Sequence, residues 1–308
     1  MQFSITLFAL FAGLAAASPT VIEPRQNTAV ETATENTDGP GRLISHFTSR
    51  DREKQSSGWS ELWESDESNL WDRGKPSPAL IDLIESRSEV LPRPATRRRL
   101  KALVPGCGKG YDVVMLALHG YNVYGLEVSA RGADVARQYA AAELPEPGEY
   151  NFGTHDSVSG AQPGEVMILA GDFFKRDWEA QCASSSGDDF QGFDLIYDYT
   201  FLCALLPEMR KDWARRMQEL LSLTGVLVCL EFPLYKDLDM RGPPWGLRGV
   251  YWNILAQGGD GLVQEPVVED AEDKSLKGAF RRVEYFKPPR SYENGKGTDV
   301  VSVWTEKF

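Results

Sequence analysis

The stretch Leu103 to Asp112 reads LVPGCGKGYD, an apolar run that meets a proline and then glycines at 106, 108 and 110. A strand that ends this way passes into a loop where the backbone takes conformations barred to other residues and lets a ligand approach without Cβ interference. The chain around it alternates strand and helix signals. Leu100 to Val104 predicts a strand, Tyr111 to His119 a helix stopped by Gly120, and Asn122 to Leu126 a second strand ending at Glu127. Ser129 is placed to cap a helix running to about Leu144. Val166 to Ala170 and Phe193 to Tyr197 are the third and fourth apolar runs. Pro207 opens an amphipathic helix to Leu221, and Gly225 turns the chain into a fifth strand, Val226 to Leu230. Strands alternating with helices predict an α/β fold with a parallel sheet covered on both faces. Phe280 to Phe286 and Asp299 to Thr305 read as a closing strand pair.

Outside this region the chain changes character. Residues 1–17 carry an apolar run that ends in Ala15-Ala16-Ala17, resembling a secretory signal peptide and too short for a span of about 20 residues. Residues 18–56 are polar and aperiodic and read as a disordered linker, so the folded domain is expected over 57–308. Of the 308 residues 42% are hydrophobic, enough for a sizeable core, and the net charge of −12 argues against a nucleic-acid partner. The one basic run, Arg93 to Lys101, reads as a solvated approach to the first strand. Cys107, Cys182, Cys203 and Cys229 are widely spaced and lack the pattern of a metal site, so no metal is expected. Three of them lie in or beside apolar runs and are expected as small core residues.

In sheets of this kind ligands bind beyond the carboxyl ends of the strands, near the point where strand order reverses. Gly106, Gly108 and Gly110, Glu127, Asp172-Phe173 and Asp198-Tyr199 all follow strand ends. Glu127 stands 21 residues beyond Gly106, where a carboxylate can accept from ribose hydroxyls. Asp172 could take an adenine amino group and Phe173 could pack on the ring. The glycine register is G-x-G-x-G, and the third glycine a dinucleotide requires is replaced by Tyr111. Asp112 then places a negative charge at a helix start, which disfavours pyrophosphate and suits the cationic S-adenosylmethionine. Upstream, Trp59 and Trp63 share a helical face, with Trp71 following. They form either a flap on the core or an aromatic lid over a sulfonium, whose charge a tryptophan face attracts.

With these residues in order the chain resembles the thiopurine S-methyltransferase family, and more closely its plant and fungal branch of thiol and halide methyltransferases. The resemblance rests on W-x-x-x-W, on W-D-x-G-x-x-x-P ending at Pro78, on LVPGCGKGYDV, on Glu127, and on GDFF from Gly171. It continues through FDLIYDYTFLCAL from Phe193, PEMRKDWA from Pro207, and GPPW from Gly242. It implies a class I methyltransferase Rossmann-like sheet of seven strands with the last antiparallel. It also implies that Trp59, Trp63, Trp71, Gly106, Glu127, Asp172, Phe173 and Tyr199 contact S-adenosylmethionine. Gly108 and Gly110 are expected to join them. Relatives of the thiol branch tend to carry two glycines before the Pro-Pro pair and an aromatic such as tyrosine after it, where this chain has Arg241-Gly242 and Trp245. That loop is expected to border the acceptor.

The expected activity is methyl transfer to a small nucleophile by in-line displacement, to a thiol or thiolate, or to sulfide or halide. Asp198 and Tyr199 are expected to border the reacting methyl group, and Arg241 to steady an anionic acceptor. A nicotinamide oxidoreductase is disfavoured by Tyr111 and Asp112, and a non-catalytic secreted relative is the other alternative. A small-molecule acceptor, no membrane span and a monomer are expected. The signal-like start points to the secretory pathway, with a cytoplasmic location as the alternative if that segment is a mis-joined exon.

Overall fold

A computed structural model of the chain describes residues 41–92, 98–153, 162–182, 190–264, 269–270 and 275–307. The signal-like segment 1–17 and residues 18–40 lie outside them, as do parts of the basic run and of three later loops. Among the described residues no helix is long and apolar enough to cross a membrane.

Seven strands form one sheet: β1 Lys101–Pro105, β2 Asn122–Glu127, β3 Val166–Ala170, β4 Phe193–Tyr199, β5 Leu221–Glu231, β6 Phe280–Phe286 and β7 Val300–Glu306. Their order is β3-β2-β1-β4-β5-β7-β6. The first five run parallel, and β7 lies antiparallel between β5 and β6. Helix α4, Tyr111–Leu118, carries β1 to β2, and α5, Ala130–Glu143, carries β2 to β3. Helix α6, Arg210–Leu220, carries β4 to β5, in the opposite direction across the sheet. Right-handed crossovers running in opposite directions place their helices on opposite faces. Order therefore reverses between β1 and β4, and the crevice at the carboxyl ends opens there.

The expected elements form for the expected reasons. Ser129 Oγ accepts from the Gly132 N–H at 3.2 Å and caps α5. Helix α6 buries Trp213, Met217 and Leu220 completely against the sheet, at helical spacing. Fully burying an apolar side chain of this size contributes roughly 1.5–3 kcal/mol. All four cysteines are free, and Cys182, Cys203 and Cys229 are buried in the core.

Two expectations need correction. Gly225 does not start the fifth strand; β5 runs directly from Leu221, and Gly225 lies inside it. A Cβ there would come 2.6 Å from the Phe193 carbonyl oxygen, so the glycine marks a close approach of two strands. The described part of the linker is also folded. Helix α1, Arg42–Phe47, precedes α2, Gln55–Glu64. The Phe47 ring is buried and packs on Trp59, with ring centres 4.6 Å apart. Leu43, Ile44 and Phe47 in a six-residue helix make too short a pattern to read, yet Phe47 fixes α1 to α2.

Candidate functional site

Two cavities adjoin at the carboxyl ends of the strands. The first is walled by Trp59, Trp63 and Trp71, the glycine loop, Glu127, Asp172, Phe173 and the segment after β4. The second is lined by Arg73, Asp112, Tyr197, Tyr199 and Tyr292 among others. Trp71, Gly106, Gly108 and Thr200 line both and form their common rim.

The glycine loop is shaped by what a side chain would strike. Gly106 has φ +59°, and a Cβ there would sit 2.5 Å from the Phe201 ring. Gly108 has φ +56° and faces open space at the rim, so the backbone forms a cradle that any side chain would strain and fill. Gly110 does different work from that expected. It lines neither cavity; it caps α4 at φ +83°, and its Cβ would press on Ala136 of α5 at 3.3 Å. Its role is helix packing.

Glu127 ends β2 at the first cavity, only 5% exposed. Its Oε2 accepts from the Gly108 N–H at 3.1 Å and its Oε1 from the Ser129 N–H at 3.2 Å. Burial pushes the carboxyl up to about 7, and those backbone N–H groups pull against the rise. Asp172 accepts from the Phe174 N–H at 2.9 Å and from the Ser56 hydroxyl at 3.0 Å. Phe173 is buried beside it, its ring edge-on to Phe201 at 5.1 Å. Trp71 meets Trp59 and Trp63 edge-on, with ring centres 5.3 and 5.5 Å apart. The three tryptophans thus make one wall, as a lid would require.

Tyr199 lies in the second cavity. Its ring stacks on Tyr292 at 5.0 Å and 15°, and its hydroxyl accepts from Arg73 Nε at 3.3 Å. Burial pushes that phenol well above its ordinary range. Asp112 opens α4 and accepts from the Ser77 N–H at 2.7 Å, which ties the segment after Trp71 to the glycine loop. Burial raises its carboxyl to about 6.

Asp198 and Arg241 are corrected. Side chains alternate along a strand, so Tyr197 and Tyr199 face the second cavity while Asp198 points through the sheet to the α6 side. There it is fully buried, accepting from Trp213 Nε1 at 2.9 Å and from the Tyr251 hydroxyl and the Leu202 N–H at 3.3 Å each. It lines neither cavity, although burial raises its carboxyl to about 7. Arg241 is exposed and lines neither cavity, nor does Gly242 to Trp245. That loop folds back, its Trp245 N–H bonding the Cys203 carbonyl at 2.8 Å.

Sequence reasoning missed Gln55 and Ser56, which line the first cavity. The signal was present: Gln55, Trp59 and Trp63 are spaced by four and share one face of α2. Arg73 lay in a quoted motif without a role. Tyr292 comes from the loop between β6 and β7 and carries no local signal.

A cradle, a strand-end carboxylate and an aromatic wall on a sheet of this order define an S-adenosylmethionine-dependent methyltransferase. A model of the thiopurine S-methyltransferase family matches residues 54–277, and the chain belongs to that family. It is 36% identical over 211 residues to probable thiol methyltransferase 2 of Arabidopsis thaliana, covering 67% of this chain and 76% of that one. It is 29% identical over 250 residues to thiocyanate methyltransferase 1 of Brassica oleracea, covering 81% and 85%. To a thiopurine S-methyltransferase of Pseudomonas aeruginosa it is 33% identical over 181 residues, covering 53% and 73%.

Proposed function

We propose that the chain methylates a sulfur nucleophile, a thiol or thiolate, with the donor in the first cavity and the acceptor in the second. The observation that carries this is the open cradle of Gly108 beside the buried carboxylate of Glu127, under a wall of three tryptophans. Glu127 would accept from the ribose hydroxyls, Asp172 from the adenine amino group, and Phe173 would cover the ring. The backbone of Gly106 and Gly108 would lie against the donor without side-chain interference, and Trp71 would face the sulfonium from the common rim. When bound, S-adenosylmethionine supplies a methyl group already activated on sulfur: a bond forms to the acceptor sulfur, and the old carbon–sulfur bond breaks with its electron pair kept by the donor.

The residues therefore act by placement. Alignment of two bound reactants can be worth up to about 7–11 kcal/mol. A thiol of ordinary pKa, about 8.5, is partly ionised in neutral water and gives its proton to solvent, so no strong base is required. The tryptophan wall and Phe173 exclude water from the donor, and Tyr199 orients the nucleophile across the rim. Titrating the full chain with S-adenosylmethionine and with NADH in a calorimeter tests the reading. Binding of the first alone is expected, and no binding of S-adenosylmethionine would overturn it.

For location, the apolar start supports entry into the secretory pathway. N-terminal sequencing of the native protein should begin near Ser18, and a retained Met1 argues for the cytoplasm. Light scattering should give the mass of a monomer.

A further inference from the structure

The second cavity holds an arginine, Arg73, that acts electrostatically on Asp299 but makes no direct ion pair among the described residues. Arg73 fills the open position of the W-D-x-G pattern. Its Nε donates to the Tyr199 hydroxyl, and its guanidinium carbon lies 5.7 Å from the centre of the Phe232 ring. Among the described residues neither terminal nitrogen meets an acceptor, and no carboxylate pairs with it. Lys109, which also lines the cavity, is already paired with Asp72. A guanidinium with its planar fork unspent is suited to a planar anion, above all a carboxylate.

Position decides what that anion belongs to. The nucleoside side of the donor cavity lies over the ends of β1, β2 and β3, through the glycine loop, Glu127 and Asp172, and its opposite wall is the segment after β4. Arg73 lies over the ends of β4 and β5, touching Tyr199 and Phe232. The sheet order puts those two strand ends on the far side of β1 from the nucleoside residues.

We propose that Arg73 selects as acceptor an organic thiol that carries a carboxylate, holding the carboxylate at the far wall while the sulfur reaches the common rim. The inference rests on the donor reading above, and the step is the same methyl transfer. The probes are 3-mercaptopropionate and its methyl ester, compared per thiolate, with donor binding followed separately by calorimetry. Wild type should favour the carboxylate thiol about 10–100-fold in kcat/KM, the range of a charge-assisted contact. Arg73→Gln should bring the ratio below about threefold through KM for the carboxylate thiol, and Arg73→Lys should keep an intermediate ratio. The Kd for S-adenosylmethionine should stay within about twofold in both variants. If Arg73→Gln does not fold, Arg73→Lys decides.

Equal use of the two thiols by wild type, or use of neither despite donor binding, overturns the proposal and leaves the donor reading standing. Weakened donor binding in the variants with an unchanged thiol ratio assigns Arg73 to the donor's own carboxylate and overturns it as well. Failure of wild type to bind the donor sinks the donor reading, and this inference with it.

Discussion

The ends of β2 and β4 look alike in one dimension and differ in three. Each carries a carboxylate that burial raises to about 7, Glu127 in one and Asp198 in the other. Glu127 faces the first cavity and is held by two backbone N–H groups at its edge. Asp198 faces α6 and ties that helix, Tyr251 and the turn at Leu202 to the sheet. A raised carboxyl at a strand end is therefore no sign of chemistry by itself. The face on which the strand's alternation places it decides.

Breaking Asp198 gives the largest expected effect. Asp198→Ala leaves a buried indole N–H and a buried hydroxyl without an acceptor, which should destabilise the fold by about 2–4 kcal/mol in urea denaturation. A variant of wild-type stability that has lost turnover would instead make Asp198 part of the chemistry and end the contrast. Glu127→Ala should act on the ligand, raising the Kd for S-adenosylmethionine about 10–100-fold by calorimetry. An unchanged Kd would remove Glu127 from the donor site.

Acidity sharpens the comparison further, with a smaller effect. Both carboxyls have folded-state pKa values above their ordinary ones, so the folded chain holds these protons more tightly than the unfolded chain. Their contribution to stability is greatest below the ordinary carboxylate range and is lost as pH rises toward about 7. Asp112, raised to about 6, and Glu231, raised to about 8, act in the same direction. The urea midpoint of the ligand-free protein should therefore be higher at pH 5 than at pH 7.5, and the reverse order would refute the shifts. Donor binding should run the other way, weakening below pH 7 as Glu127 is protonated, and Glu127→Gln should flatten that dependence. Smallest of all, Arg241→Ala should leave stability within about 0.5 kcal/mol and turnover within about twofold, since its side chain is exposed and lines neither cavity. A larger loss of turnover would return that loop to the acceptor site.

Most of the first cavity's wall was legible in the sequence. Glu127, Asp172 and the glycine loop announce themselves because each directly follows an apolar run, and a strand end is a local pattern. The tryptophans were legible from their spacing on α2, and the same spacing reaches Gln55. The second cavity was not, because its walls come from segments far apart in the chain. Tyr292 meets Tyr199 across 93 residues, and Arg73 meets it across 126.

The sequence by itself determined the α/β class, the family and the run of strand ends from which the first cavity is built, since periodicity, glycine spacing and acid position are properties of neighbours in the chain. Tertiary structure alone decided which of two equivalent-looking acids faces that cavity, which glycine packs a helix, and which arginine enters the second cavity without a direct ion pair. Those outcomes depend on pleat, sheet order and loop return. They bring together residues that no local pattern relates.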